Sequence, residues 1–239
     1  MSFLTAEWRN LAFANYEIDP KVLEKYVPYG TELDLWQSKC YVSLIGFMFK
    51  NVKLLGFSIP FHKNFEEVNL RFYVKRYENK VLKRGVVFVK EIVPKPALSW
   101  VANTVYKEKY ETLPMQHLWK NQESSKLFRY EWKKKGKWQS LEVETGYDSK
   151  PIEKDSITEF ITEHYWGYAK INSQKTNEYQ VTHPRWNVLE ILDYNINVDF
   201  GLIYGTDFSF LDTKKPDSVM LAEGSEITIE SKRILQITS

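Results

Sequence analysis

The chain has 239 residues, 43% hydrophobic and 15% aromatic, enough apolar material for a sizeable core and a composition that leans towards β-structure. Its 33 basic and 31 acidic residues leave a formal charge of +2, which removes any bulk electrostatic drive towards nucleic acid or anionic membrane. Cys40 is the single cysteine, so an internal disulfide is excluded and a reducing compartment is the simpler setting. The opening MSFLTAEWRNLAF lacks the basic and apolar regions of a signal peptide, and no apolar run reaches membrane-spanning length, so a cytoplasmic protein is expected. Neither repeats nor a Pro/Gly/Ser linker divide the sequence, which reads as one domain over residues 1–239.

In chain order, IDPKVLEKYVP predicts a short helix with Asp19 as N-cap and Pro20 at its first position. CYVSLIGFMF is almost wholly apolar, as a strand buried on both faces should be. Two strands follow over 65–77 and 84–94, joined at a polar tip. A loop at Glu78-Asn79 places Glu67 opposite Lys90, whereas a loop at Asn79-Lys80 places Asn69 there. PALSWVANTVYKEKY has helical spacing through Lys109. A second hairpin is expected over 127–143, turning at Lys135-Gly136. Ser156 and Glu159 form a capping-box pair ahead of a third helix. The remainder alternates in strand-like runs, giving a mainly antiparallel β-sheet or β-barrel with about three short helices.

Residues 64–77, NFEEVNLRFYVKRY, carry the chemistry. Val68, Leu70, Phe72 and Val74 point to one side of the strand; Glu67, Asn69, Arg71 and Tyr73 point to the other. The polar side of such a strand can simply face solvent; against that, the hairpin partner RGVVFVKEIV is apolar on both faces, which implies at least partial cover, and buried charges would then need partners. Glu67, Arg71 and Lys90 are expected to satisfy one another in the interior. There Arg71 offers a fork for the carboxylate of a small organic ligand. Glu67 and Lys90 are the catalytic candidates, one exchanging a proton and the other a desolvated amine. Asn69, Tyr73, Tyr106 and His62 are expected to border the ligand. A non-enzymatic structural or interaction domain, in which the ions merely hold the fold together, stays open beside this.

Other chemistries lack support. The four histidines show no metal-ligand spacing, and nucleotide-loop and nucleophile-elbow motifs are absent, so neither metal nor cofactor is expected. YEWKKKGKWQ mixes lysine with tryptophan, yet lysines at a hairpin tip more often blunt an exposed edge than bind nucleic acid. Formation of a homo-oligomer is left open.

The runs NYEIDPKVLEKYVPYGTELDLWQSKCYVSLIGFMF, IPFHKNFEEVNLRFYV, RGVVFVKEIVPK, ANTVYKEKYETLPM, EHYWGYA and LAEGSEI together resemble the uncharacterised bacterial family known as domain of unknown function 2071. That resemblance implies the acetoacetate-decarboxylase-like superfamily and its cone-shaped antiparallel barrel. The superfamily's founding enzymes use a lysine Schiff base, with an Arg in Y-R-T-D, a Glu entering the barrel and two lysines after Y-P. By resemblance, Glu17 stands in place of the Arg, Glu67 matches the Glu, and Met115 and Gln116 follow Pro114 where the lysines belong, which puts Met115 among the residues expected to border the ligand. A thioether cannot form an imine, so ordinary acetoacetate decarboxylase activity is not expected.

Overall fold

The computed structural model describes residues 2–236. Strand β1 (Ser2–Ile18) is followed by the two-residue β2 (Glu32–Leu33), β3 (Cys40–Leu54), β4 (Phe57–Ser58), β5 (Phe65–Glu78) and β6 (Val81–Val93). Next come β7 (Tyr110–Thr112), β8 (Met115–Asn121), β9 (Lys126–Lys134), β10 (Lys137–Pro151), β11 (Trp166–Lys170) and β12 (Lys175–Thr182). The last are β13 (Asn187–Asn197), β14 (Ser218–Glu230) and β15 (Arg233–Gln236). Among the described residues, no helix is long and apolar enough to cross a membrane.

Pairing runs β1–β3–β5–β6–β11–β12–β14, and β14 pairs back onto β1, so the hydrogen-bonded ladder closes on itself. From β14 the sheet also extends through β13, β10 and β9 to β8. The sheet is mainly antiparallel, as expected, with β6 pairing in parallel with both β11 and β7. Strands that pair in parallel cannot be joined by a tight turn. Long connections carry two of the helices: α2 (Pro96–Val101) lies between β6 and β7, and α3 (Ile157–Thr162) between β10 and β11.

Two apolar clusters lie on opposite faces of the circuit. Leu44, Leu70 and Phe72 pack outward with Tyr130, Trp132, Phe200 and Phe208. Phe13, Ile45, Phe47 and Tyr73 face inward with Phe160, Ile161 and Trp186. Alternation therefore sends successive β3 residues into different cores, which is why all of Cys40–Phe49 is buried. Each such Phe or Leu stabilises by about 1.5–3 kcal/mol. Gly46 is what lets the second layer approach, since a Cβ there would meet the Tyr130 ring at 2.8 Å.

The helix at Pro20 forms as expected: α1 (Pro20–Leu23) continues as a 3-10 turn, and Asp19 Oδ1 accepts from the Lys21 amide at 3.0 Å. α2 (Pro96–Val101) passes into a π-turn over Ala102–Tyr106 and stops at Lys107, whose φ is 60°. Lys109 is therefore not helical, although the spacing placed it there. α3 (Ile157–Thr162) is capped by Ser156 Oγ, which accepts from the Glu159 amide at 3.1 Å. α4 (Phe200–Tyr204) was not anticipated; Asp199 caps it at the end of the strand-like run WNVLEILDYNINVDF. The turn at Lys135-Gly136 is as expected, with β9 and β10 pairing Lys134 to Lys137.

Candidate functional site: a buried polar wall

Both faces of β5 are buried over residues 67–74. Glu67 and Asn69 are each 2% exposed and Arg71 is 9% exposed, so the polar side does not face solvent. The hairpin turns at Asn79-Lys80, with φ of 49° and 66°, and Glu78 pairs Val81. Asn at the first position tolerates this left-handed geometry, and the loop at Glu78-Asn79 is not formed. A bulge at Val89 then adds a further residue: Arg71 pairs Phe88, whereas Leu70 pairs Lys90 and Asn69 pairs Glu91. The extra residue exchanges the two neighbours' faces. Glu91 turns inward and Lys90 outward, the reverse of the expected arrangement.

The inward carboxyls form a cluster. Asn69 Nδ2 donates to Glu67 Oε1 at 2.9 Å, and the Tyr110 hydroxyl donates to Glu67 Oε2 at 3.1 Å. Tyr179 on β12 donates to Glu108 Oε1 at 2.8 Å. Burial pushes Glu67 and Glu108 up to about 7 and Glu91 well above its ordinary value. Repulsion adds to this at two of them, from Glu108 and Glu67 on Glu91 and from Glu67 on Glu108. Such carboxyls hold protons that ordinary surface acids have lost at neutral pH.

Arg71 has no such partnership. Among the described residues no carboxylate lies within ion-pair distance; Nη2 donates to the Ile161 carbonyl at 3.3 Å, while Nε has no partner. The guanidinium lies against the Phe13 and Tyr73 rings, 5.5 and 5.6 Å from their centroids. His164 follows α3. Its Nε2 donates to Asp34 Oδ2 at 3.1 Å, and Arg84 holds the same carboxylate at 2.7 Å. Burial lowers His164 to about 4, so the ring is neutral and Nδ1 is left as a bare, unpartnered acceptor.

These groups surround a cavity of about 70 Å³. Trp8 Nε1, Asn69 Oδ1, Arg71 Nε, Glu91 Oε2 and His164 Nδ1 are all buried without a hydrogen-bond partner, and all five residues line it. Native proteins leave a few such atoms per hundred residues, so five gathered around one space need an explanation. A second cavity of about 170 Å³ lies beside it, walled mainly by apolar residues of β1, β3, α2 and the 59–62 loop. Phe49, Glu67, Glu91, Tyr110, Tyr179 and Ile229 line both. Among the described residues, no lysine lines either.

The structure thus brings Glu67, Asn69 and Arg71 to the inner cavity and His62 and Tyr106 to the outer one. Tyr73 shares their face but serves as packing, bonded to Ser43 Oγ at 2.6 Å and lying 4.7 Å from the His164 ring. Two expectations need correction. Lys90 is remote from Glu67, with Nζ 2.8 Å from Glu111 Oε2 and 2.5 Å from the Ile203 carbonyl on the outer face. Met115 lies on β8, packed against the outer core, and lines neither cavity. Glu91, Glu108, Tyr110, Tyr179 and His164 were missed. The acid inside the apolar run RGVVFVKEIV was the available signal for Glu91, but its direction depended on the bulge.

A family model described as DUF2071, an uncharacterized conserved protein, matches residues 5–226. The uncharacterized protein YqjF of Bacillus subtilis (strain 168) is 34% identical over 68 residues, a match spanning 28% of this chain and 28% of that protein. Among solved structures, acetoacetate decarboxylase from Legionella pneumophila superposes with a TM-score of 0.66 at 12% identity, covering 98% of this chain and 87% of that one. The enduracididine biosynthesis enzyme MppR complexed with pyruvate superposes with a TM-score of 0.68 at 10% identity, covering 99% and 91%. The fold is thus acetoacetate-decarboxylase-like, and the chain belongs to the DUF2071 family of uncharacterized conserved proteins.

Proposed function

We propose that the closed strand circuit is a barrel whose inner cavity binds a small carboxylate or carbonyl compound, with Arg71 as the anion anchor. One observation carries this: a buried guanidinium without a carboxylate partner, facing a cavity ringed by other unpartnered polar atoms. A buried cation is costly unless something neutralises it, and a ligand carboxylate would do so through two N–H donors. Protonated Glu91 and Glu67 would donate to a ligand oxygen, and His164 Nδ1 would accept a ligand proton. Such a set is suited to proton transfer on a carbonyl or enol compound. MppR, whose fold is similar, has been obtained with pyruvate bound, which fits an acid of this size. Imine chemistry is not proposed, because no lysine among the described residues lines either cavity.

The same molecule shows what a purely structural ion cluster looks like here. Glu178 is fully buried, yet Arg76, Lys83 and Arg233 stand within 3.0, 3.3 and 2.5 Å. Burial alone would raise it, but these cations hold it below its ordinary value. Arg71 has nothing comparable, which weighs against the structural alternative.

The test is titration of the protein with a panel of small mono- and dicarboxylates, followed by NMR, for the wild type and Arg71→Met. Saturable binding lost in the variant is expected, along with unchanged or raised thermal stability, since an unpaired buried charge has been removed. A marked loss of stability with no acid binding to the wild type would make Arg71 a structural residue and sink the proposal.

A further inference from the structure

We infer that the natural ligand is an amphipathic acid, its carboxylate at Arg71 and an apolar tail running past the glutamates into the outer cavity. This rests on the carboxylate-binding reading above and narrows it to a substrate class.

Three features support it. First, the two cavities abut, sharing six lining residues, and a tail crosses from one to the other where those side chains part. The inner cavity, about 70 Å³, has room for roughly five water-sized groups, and the outer, about 170 Å³, for on the order of ten. A carboxylate with one or two further atoms fills the former and leaves the latter empty. Second, the polarity is divided along this axis. Arg71, Asn69 and His164 line only the inner cavity, while Leu4, Val52, Leu54, Leu98 and Val101 line only the outer. Third, the passage suits a tail. Glu67, Glu91 and Glu108 are the acids at the junction or just beyond it; burial favours their neutral, protonated forms, so no charge has to be desolvated as a methylene chain passes. Among the described residues, the only basic side chain lining the outer cavity is His62, in the loop that also carries the 89% exposed Phe61.

The experiment measures affinity across the straight-chain acids from propanoate to octanoate by titration at pH 6. Wild type is expected to gain about fourfold for each methylene that reaches the outer cavity. Filling that cavity from its helical wall, with Ala102→Phe and separately Leu98→Trp, should flatten the series and leave propanoate binding unchanged. Arg71→Met should remove binding of every member. Circular dichroism checks that each variant is folded, and two filling variants guard against one of them failing. If short acids bind in an Arg71-dependent way but chain length adds nothing, the tail inference falls and the carboxylate reading survives. The inference also falls if the gain with length persists in both filling variants. Absence of any Arg71-dependent binding removes both readings.

Discussion

Asn69 on β5 faces Glu91 on β6 in register, and each keeps an oxygen without a partner inside the protein. The pair exists because the bulge turns Glu91 inward, and it sets up a pH dependence of stability. Glu67 is pushed from 4.5 to about 7, and Glu91 moves in the same direction. Between these pH values the folded state keeps protons that the unfolded chain has released. Stability is therefore complete below about pH 4.5 and falls as pH rises towards 7, by up to about 1.4 kcal/mol per pH unit for each such carboxyl. Glu91→Gln keeps the shape and cannot ionise. Urea melts from pH 5 to 8 are expected to show the variant matching wild type at pH 5 and exceeding it at pH 8. An unchanged pH profile would place Glu91 in contact with solvent.

Glu178 should behave oppositely. Although burial opposes it, hydrogen bonds from Arg233 and Arg76 hold its carboxyl below the ordinary value, so its contribution is present at neutral pH and is lost as pH falls. Glu178→Ala leaves three cations around an apolar gap. It is expected to cost about 3 kcal/mol, the lower end for a broken buried pair because the Arg233 side chain is 49% exposed. Chemical denaturation at pH 7 measures it.

Lys90 is expected to be a brace and not a nucleophile. It ties β6 to Glu111 and to the Ile203 carbonyl at the end of α4. Lys90→Met is expected to cost about 1 kcal/mol, since Glu111 keeps Lys134 at 2.8 Å, and to leave carboxylate binding intact. Borohydride treatment in the presence of keto acids, read by intact mass, is expected to yield no adduct at Lys90.

Gly167 on β11 permits the Tyr179–Glu108 hydrogen bond. A Cβ there would lie 2.1 Å from the Tyr179 ring, so Gly167→Ala must push the ring aside. Overpacking of this kind costs about 1–3 kcal/mol. Carboxylate affinity is expected to drop as well, since both residues line the inner cavity. Paired denaturation and titration experiments separate the two effects, and an undisturbed variant would show that Tyr179 has room to move.

Local signals were legible where the physics is local. The Asp19 and Ser156 caps, the Lys135-Gly136 turn and the doubly buried run from Cys40 each follow from a few adjacent residues. Strand alternation likewise put Glu67, Asn69 and Arg71 on one face. The neighbours of that face were not legible. Glu108 and Tyr110 arrive through the parallel contact of β7 with β6, Tyr179 by way of β11 and β12, and His164 after α3. Each depends on a long connection that adjacent residues do not encode.

What the sequence by itself determined is the alternation: an apolar set and a polar set on β5, with enough apolar partners nearby to cover both. Tertiary structure alone decided which charges would meet. One bulge residue exchanged lysine for glutamate on the inner face, because side-chain direction reverses with every added residue. Closure of β14 onto β1 and β12 then shut that face away from water. Burial raised its carboxyls, and Arg71 was left beside a cavity without an ion-pair partner among the described residues.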